Sequence, residues 1–559
     1  MNKLSIFPAP VVTTWQRLHL LLPTPAPVHA QWFNVIAALV LSLLLNQHFI
    51  AQVLARVPGQ HGLQLSLFLL LPLINFLLMW LVSLFGAQKS GFLVLAFIGA
   101  ISCYFMQSFG VLMDKSMLQN ALETDVAEAS GLLSLAMLVH VCGLMLVPIL
   151  LCLWLPIRAQ TTKQKLLHAL LSALIWLLAA GSVLASGRAE LIPFFRNFRD
   201  IKHMALPLAP ISASISVSQH WLKAQFPTQL NKIGEDAIVP VTARTGKPRL
   251  MVLVLGETAR ADHFQLNGYG RATNPLLSQL PVVSFRQVSS CGTATAHSVP
   301  CMFSELDQAH FDGDLAKNSE NVLDVLQRTG VIVKWLDNNS GCKRVCDRVP
   351  SLMLFEDKTN PLCEQGQCQD AILLEALARE LAEPLTQDKI IVLHQLGSHG
   401  PEYFRRSTEQ QKHFLPECTD KQIQFCDTQS LRNAYDNSLI ATDELLANVI
   451  RSLQQQHDYQ AAMLYISDHG ESLGENGTYL HGLPYWIAPQ AQKHVPMIWW
   501  MSEEFEQKQG LSGDCIRDAR DTQLSHDYLF HSLLGSFAVE SKVYQPSLDF
   551  LQQCRRRAI

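Results

Sequence analysis

The stretch Ser290-Cys291-Gly292-Thr293-Ala294-Thr295-Ala296-His297-Ser298-Val299-Pro300-Cys301 carries the hydroxyls, glycine and flanking cysteines of a tight turn that presents a nucleophile. A threonine hydroxyl is too weakly acidic to attack phosphorus near neutral pH, so it needs a base or a metal beside it. Three apolar, strand-like runs end on residues that could supply one. Leu250 to Leu255 stops at Gly256-Glu257-Thr258, Ile390 to Leu393 leads into His394-Gln395-Leu396-Gly397-Ser398-His399-Gly400, and Ala461 to Ile466 stops at Ser467-Asp468-His469-Gly470-Glu471. Buried parallel strands gather their carboxyl ends on one edge of a sheet, where open α/β folds bind ligands. One edge is therefore expected to collect Glu257, Asp468, His469, His399 and a threonine. Thr293, Thr295 and Ser298 are all candidates for the nucleophile, and spacing alone does not choose among them.

These residues need a rigid frame. From Pro248 onward, strand-like runs (Met251–Leu255, Val331–Trp335, Ile390–Leu393, Met463–Ile466, Pro496–Trp500) alternate with helical patterns such as Ala371–Ala382 and Leu431–Gln454. That alternation predicts an α/β domain around a mainly parallel central sheet. Before it, five apolar stretches, Phe33–Val53, Leu65–Phe85, Phe92–Met113, Leu132–Leu155 and Leu166–Ala185, each approach the twenty or so residues that cross a bilayer. The first is interrupted by Asn46, Gln47 and His48. Lys3, Arg17, Lys89, Arg158, Lys163 and Lys165 mark one side as cytoplasmic. The loop from 114 to 129 carries Glu123, Asp125 and Glu128 instead, and Arg56 is an exception on the outer side. Five spans starting inside put everything after about residue 187 outside. The expected organisation is a five-helix transmembrane domain (1–187), a proline-interrupted bridge with amphipathic pieces near Phe194–Met204 and Val217–Phe226 (188–247), and a catalytic α/β domain (248–559). No removable signal peptide is expected at the amino terminus.

The 559 residues, of which 16% are charged, carry a net charge of -4, which argues against a nucleic-acid partner. Cys103, Cys142 and Cys152 fall in apolar segments, and the other ten cysteines follow residue 290. Sequence proximity pairs Cys291 with Cys301, Cys342 with Cys346, Cys363 with Cys368, and Cys418 with Cys426, leaving Cys515 and Cys554 as a fifth pair. The spacing does not form paired C-x-x-C zinc knuckles. Disulfides imply an oxidising compartment, the compartment that the span count also selects.

Gly256 to His263, Cys291 to Ser304, Asp337 to Lys343, Gly397 to Pro401 and Ser467 to Gly482 resemble, in order, the motifs of phosphoethanolamine transferases of the alkaline phosphatase superfamily, the membrane enzymes that modify lipid A. The resemblance spans nearly the whole chain. It implies a zinc ion held by Glu257, Thr295, Asp468 and His469, with Thr295 as the nucleophile. It places a second zinc or the donor headgroup at His399, His481 and Glu471, and substrate or phosphate contacts at Asn339, Lys343, Asn120, Thr124 and Glu128. The last three recur every four residues, on one face of a helix. The resemblance assigns no role to His394 or Glu402, which lie in the same region. It further implies phosphatidylethanolamine as donor, a lipid A phosphate as acceptor, and a multi-pass protein of the Gram-negative inner membrane with its amino terminus in the cytoplasm and its catalytic domain in the periplasm. A monomer is expected. Lipopolysaccharide core or periplasmic glucan as acceptor, and phosphoglycerol as the group moved, are the alternatives. A sulfatase would need arginine where Met302 follows Ser298-Val299-Pro300-Cys301.

Overall fold

The computed structural model describes residues 25–123, 132–224, 230–244, 246–357, 359–364, 367–383 and 386–555. The chain divides into two compact units, one of Met1–Ser108, Leu112–Asp114 and Leu135–Ser214, the other of Phe109–Val111, Lys115–Ser134 and Ile215–Ile559.

In the amino-terminal unit, helices α1 (Ala30–Leu45) and α2 (Gln47–Arg56) meet at 66° and only together are long and apolar enough to count as a candidate span. The bend falls on Asn46, whose buried amide competes with the helical ladder. Its Nδ2 donates to the carbonyls of Leu41 (3.1 Å) and Leu206 (2.9 Å), and its Oδ1 accepts from Leu206 N (2.8 Å). Helices α3 (His61–Leu84), α4 (Gln88–Phe109), α5 (Leu135–Trp154) and α6 (Thr162–Asn197) are each long and apolar enough to cross a membrane. Helix α6 opens on a capping box between Thr161 and Gln164 and runs for 36 residues, roughly 54 Å at the α-helical rise. It passes through Gly187 unbroken, so Phe194 to Asn197 is its last turn rather than the start of a separate piece. A short 3₁₀ turn (Arg199–Met204) and α7 (Leu208–Ala224) follow. Arg56 is held bidentately by Asp200, at 2.7 and 2.6 Å, so its charge is matched within the fold.

The second unit is built on a seven-stranded sheet: β1 (Arg249–Gly256), β2 (Val283–Phe285), β3 (Ile332–Asp337), β4 (Ser351–Met353), β5 (Lys389–His394), β6 (Gln460–Ser467) and β7 (Met497–Met501), in the order β2-β7-β6-β1-β5-β3-β4. Only β7 runs against the others, since it pairs antiparallel with both β6 and β2 while the remaining pairs are parallel. The central strands β1, β5 and β6 are buried at every residue, as expected for strands covered on both faces. Met251, Leu253 and Leu255 join one core with Val299, Met302, Phe530 and Leu533. The intervening residues of β1 point the other way, the side on which α10 (Thr428–Gln454) packs against β6 and α9 (Ala371–Ala382) packs against both β3 and α10. Helices α8 (Thr295–Met302) and α11 (Asp527–Ser536) pack together in the first core. In register, Leu255 lies beside His394 and Ile466, Gly256 beside Ser467, and Asp337 beside His394. The carboxyl ends of β1, β3, β5 and β6 therefore share one edge.

Candidate active site

At that edge Glu257, Asp468 and His469 are almost wholly buried, and one ligand atom from each lies within 4.8 Å of the others. His469 Nε2 is 3.3 Å from Glu257 Oε1 and 3.4 Å from Asp468 Oδ2. Its Nδ1 is 2.9 Å from the Gly470 carbonyl, which fixes that nitrogen as a donor and turns Nε2 toward the carboxylates. Asp468 Oδ1 accepts from the backbone N–H of Thr258 (3.2 Å) and of His469 (2.7 Å). Its Oδ2 is buried and has no hydrogen-bond partner among the described residues. Thr258 takes up φ 60° to make this turn, a left-handed conformation that a β-branched residue rarely adopts.

The three candidate hydroxyls separate cleanly. Thr295, the first residue of α8, directs Oγ1 at Glu257 (3.0 Å to Oε2) and lies 3.3 Å from His469 Nε2. Thr293 Oγ1 donates to the Leu483 carbonyl (2.6 Å), and Ser298 Oγ donates to the Asp468 carbonyl (2.5 Å). Thr293 and Ser298 thus hold the framework, and Thr295 faces the buried carboxylates.

The electrostatics of the cluster favour a cation. Burial and then the charge of Glu257 push Asp468 up to about 6. Burial also opposes charge on His469, but Asp468 and Glu257 outweigh it and push the imidazole up to about 10. Burial would raise Glu257 as well, yet the hydrogen bond and charge of His469 hold it well below the usual carboxylate range. Two buried carboxylates sharing one imidazolium proton is the arrangement a divalent ion replaces by displacing that proton. The two carboxylates, imidazole and hydroxyl suit a tetrahedral zinc site, and the unpartnered Asp468 Oδ2 is the atom such an ion would satisfy.

His481 Nδ1 lies 3.1 Å from Glu471 Oε2, its ring centroid 4.4 Å from that of His469 and 5.6 Å from that of His399. Glu471 is fully buried, and its Oε1 has no hydrogen-bond partner among the described residues. His399, His481 and Glu471 therefore form a second group beside the first. Asn339 Nδ2 donates to Glu257 Oε2 (2.7 Å) and to the Gln395 carbonyl (2.8 Å). The Lys343 ammonium sits on Ser340, at 2.9 Å from Oγ and 3.1 Å from the carbonyl. The helix Lys115–Glu123 packs against α8, and the Asn120 amide nitrogen lies 3.1 Å from where a Cβ on Gly482 would stand. Thr124 and Glu128 lie outside the described residues.

The structure pairs Cys291 with Cys301, Cys342 with Cys346, Cys363 with Cys368, Cys418 with Cys426, and Cys515 with Cys554. The first closes the turn carrying Thr295 and the second closes the loop carrying Lys343.

Several organising residues were given no role by the sequence reading. His394 forms a fully buried pair with Asp337 (2.9 Å), and Asp337 Oδ1 also accepts from Asn339 N (2.8 Å). Asp370 accepts from the backbone N–H of Leu396 and Gly397, both at 2.8 Å, and so fixes the loop that carries His399. Gly397 has φ 54°, and a Cβ there would lie 2.7 Å from the Glu257 carbonyl oxygen. His526 accepts from Cys291 N (3.1 Å) and reaches the Ser467 carbonyl (2.9 Å), tying the turn that carries Thr295 to β6. Glu402 pairs with Lys421 and Arg405, at 3.3 and 3.5 Å. An aspartate ahead of an apolar helix, as at Asp370, reads only as a cap. A histidine after a strand, as at His394, is a usable signal, because Asp337 ends a neighbouring strand.

Residues 249–539 match the family profile described as Sulfatase, and residues 70–222 match the one described as Phosphoethanolamine transferase EptA/EptB. The chain is 38% identical over 551 residues to the phosphoethanolamine transferase EptA of Escherichia coli K12, covering 96% of this chain and 99% of that protein. It is 38% identical over 483 residues to the phosphatidylethanolamine transferase Mcr-1 of Escherichia coli, covering 83% of this chain and 86% of that one. The solved integral membrane lipooligosaccharide phosphoethanolamine transferase A of Neisseria meningitidis superposes with a TM-score of 0.89 at 34% identity, over 95% of this chain and 100% of that structure.

Proposed function

We propose that this chain, which belongs to the EptA and Mcr family of phosphoethanolamine transferases, moves phosphoethanolamine from phosphatidylethanolamine to a phosphate of lipid A. The observation that carries the mechanism is the Thr295 hydroxyl, 3.0 Å from Glu257 and 3.3 Å from His469 at the mouth of a buried carboxylate and imidazole cluster. Glu257, Asp468, His469 and Thr295 are the residues we assign to zinc. Zinc, when bound, supplies positive charge that lowers the pKa of an oxygen ligand toward neutrality.

Thr295 Oγ forms a bond to phosphorus, the bond from phosphorus to the glycerol oxygen breaks, and diacylglycerol leaves with a proton on that oxygen. Asn339 keeps the Glu257 carboxylate oriented during the attack. His399, His481 and Glu471 are assigned to the donor headgroup or a second metal, and Lys343 and Asn120 to substrate contacts. A lipid A phosphate oxygen then attacks the phosphorus of the phosphoethanolamine held on Thr295, the bond from phosphorus to Thr295 Oγ breaks, and Oγ takes up the proton given up by the acceptor. The Neisseria relative is named for lipooligosaccharide, which supports lipid A over a glucan acceptor. The apolar helices and the disulfide-bonded catalytic unit support an inner-membrane protein with that unit in the periplasm.

A phosphate monoester carries roughly -1.5 to -2 near pH 7, and the diphosphate made by adding phosphoethanolamine carries about -2 offset by an ammonium of about +1, a net of about -1. Polycationic peptides lose attraction accordingly, on the order of 1 kcal/mol per close charge pair at a wet surface. Mass spectrometry of lipid A from a polymyxin-sensitive host tests the reading. Added phosphoethanolamine and a raised inhibitory concentration are expected with the wild type. Unmodified lipid A with a modified core or glucan would move the acceptor.

A further inference from the structure

A groove of about 630 Å³ in the amino-terminal unit is lined by α1, α3 and α6, within the ~300–1,000 Å³ range of small-molecule sites. On α6 its lining runs from His168 to Val183, with Ser172 and Ala179 along the wall. That is roughly 22 Å at 1.5 Å per residue, enough for one chain through a leaflet whose hydrocarbon is ~15 Å thick, half of ~30 Å. The deep part is apolar, bounded by Val35, Leu39, Leu73 and Ile175.

The shallow end is polar and built. His29 Nε2 lies 2.9 Å from His168 Nδ1 and 2.7 Å from Gln160 Nε2, which joins the start of α1, the start of α6 and the loop before it. Val28 O accepts from Arg158 N (2.8 Å), so the Arg158 backbone is fixed beside this trio. The Arg158 side chain is exposed and has no carboxylate partner among the described residues. Trp32, 66% exposed, stands at the same level, where bilayers favour tryptophan. The hydrogen-bonded His29–His168 pair, with the exposed Arg158 following on the adjoining loop, sets this end of the groove apart from a uniformly apolar lipid-facing surface.

We propose that this groove is a binding site for one anionic glycerophospholipid, with an acyl chain between α1, α3 and α6 and its phosphate at Arg158 and the His29–His168 pair. Basic pockets between transmembrane helices are known to take such headgroups. Under the topology proposed above the bound lipid belongs to the cytoplasmic leaflet. The site does not depend on the catalytic assignment.

Native mass spectrometry of the full chain, delipidated in detergent and titrated with dioleoyl phosphatidylglycerol, tests it. The wild type should hold one probe lipid and bind it at least tenfold more tightly than dioleoylglycerol, which lacks the phosphate. Ser172→Phe with Ala179→Phe should fill the channel and weaken the probe at least tenfold. Leu174→Phe, also on α6 but outside the groove, should leave it unchanged. Arg158→Gln should abolish the preference over dioleoylglycerol. Equal loss in Leu174→Phe, or no loss in the filled variant at unchanged melting temperature, would reduce the groove to ordinary lipid contact. Equal affinity for the two probes in the wild type would overturn the headgroup assignment.

Discussion

Replacing Asp468 with asparagine separates the metal from the fold. Asp468 Oδ1 is occupied by two backbone N–H donors, which an amide oxygen can accept equally well, and Oδ2, 3.4 Å from His469 Nε2, has no hydrogen-bond partner among the described residues. Asp468→Asn therefore keeps the turn and removes one negative charge from the cation position. A divalent ion and a carboxylate ~4 Å apart attract by about 8 kcal/mol at an effective dielectric near 20. Keeping that carboxylate ionised in a dry pocket costs several kcal/mol, so the net loss is about 4 kcal/mol, on the order of a thousandfold in metal affinity. The same change should not weaken the metal-free fold. The folded pKa of Asp468 is raised by burial and by Glu257, so the ionised carboxylate destabilises the fold as pH rises through that value, and a neutral amide removes the penalty. Metal content after dialysis against chelators of graded strength, with melting curves of the metal-free forms at pH 7.5, reads both effects. A variant that keeps wild-type metal at every chelator strength, or whose metal-free form melts far below the wild type, would refute the reasoning.

Asn339→Ala should cut headgroup transfer from a fluorescent phosphatidylethanolamine by about 10- to 100-fold, because the donor that orients Glu257 is lost; full activity would show that Glu257 is held by other means. His394→Ala leaves Asp337 buried without its partner and should cost about 3 kcal/mol. His394 is opposed by burial but raised by Asp337, so its contribution is complete below about pH 6.5 and lost as pH rises through its folded value; Asp337 is lowered, so its contribution is lost only in acid. The stability gap between wild type and variant in thermal melts should accordingly narrow at alkaline pH, and a gap that widens there would contradict the pair. Removing the Cys515–Cys554 bridge, with 39 residues of separation, should cost about 4 kcal/mol, and removing Cys342–Cys346, with a separation of 4, about 2 kcal/mol on chain entropy; equal losses in denaturant midpoints would reject that ranking.

The central strands were legible because β1, β5 and β6 are buried on both faces, so their sequences are continuous apolar runs that stop where the chain meets the site. Glu257, Asp468 and His469 follow such stops directly, which is why one sheet edge could be inferred before any geometry. The direction of β7 was not legible, since an apolar strand carries no mark of its orientation. Helix α6 hid its end because Arg188, Glu190 and Pro193 look like a boundary, although a charged surface and one proline are tolerated in a continuing helix. The choice among Thr293, Thr295 and Ser298 also lay beyond spacing. It depends on Leu483 and the Asp468 carbonyl accepting from the other two, contacts made across long sequence separations. Asp370 and His526 were invisible for the same reason: each acts by binding backbone N–H groups or carbonyls that carry no sequence signature.

The central claim is that Thr295 carries the transferred group, and the most direct measurement is peptide mass spectrometry of the full-length protein incubated with phosphatidylethanolamine and no acceptor. Phosphoethanolamine should be found on Thr295, should persist in Thr293→Ala, and should vanish in Thr295→Ala and when lipid A is added to the wild type. An adduct on Thr293 or Ser298, or an adduct and normal turnover in Thr295→Ala, would contradict the account.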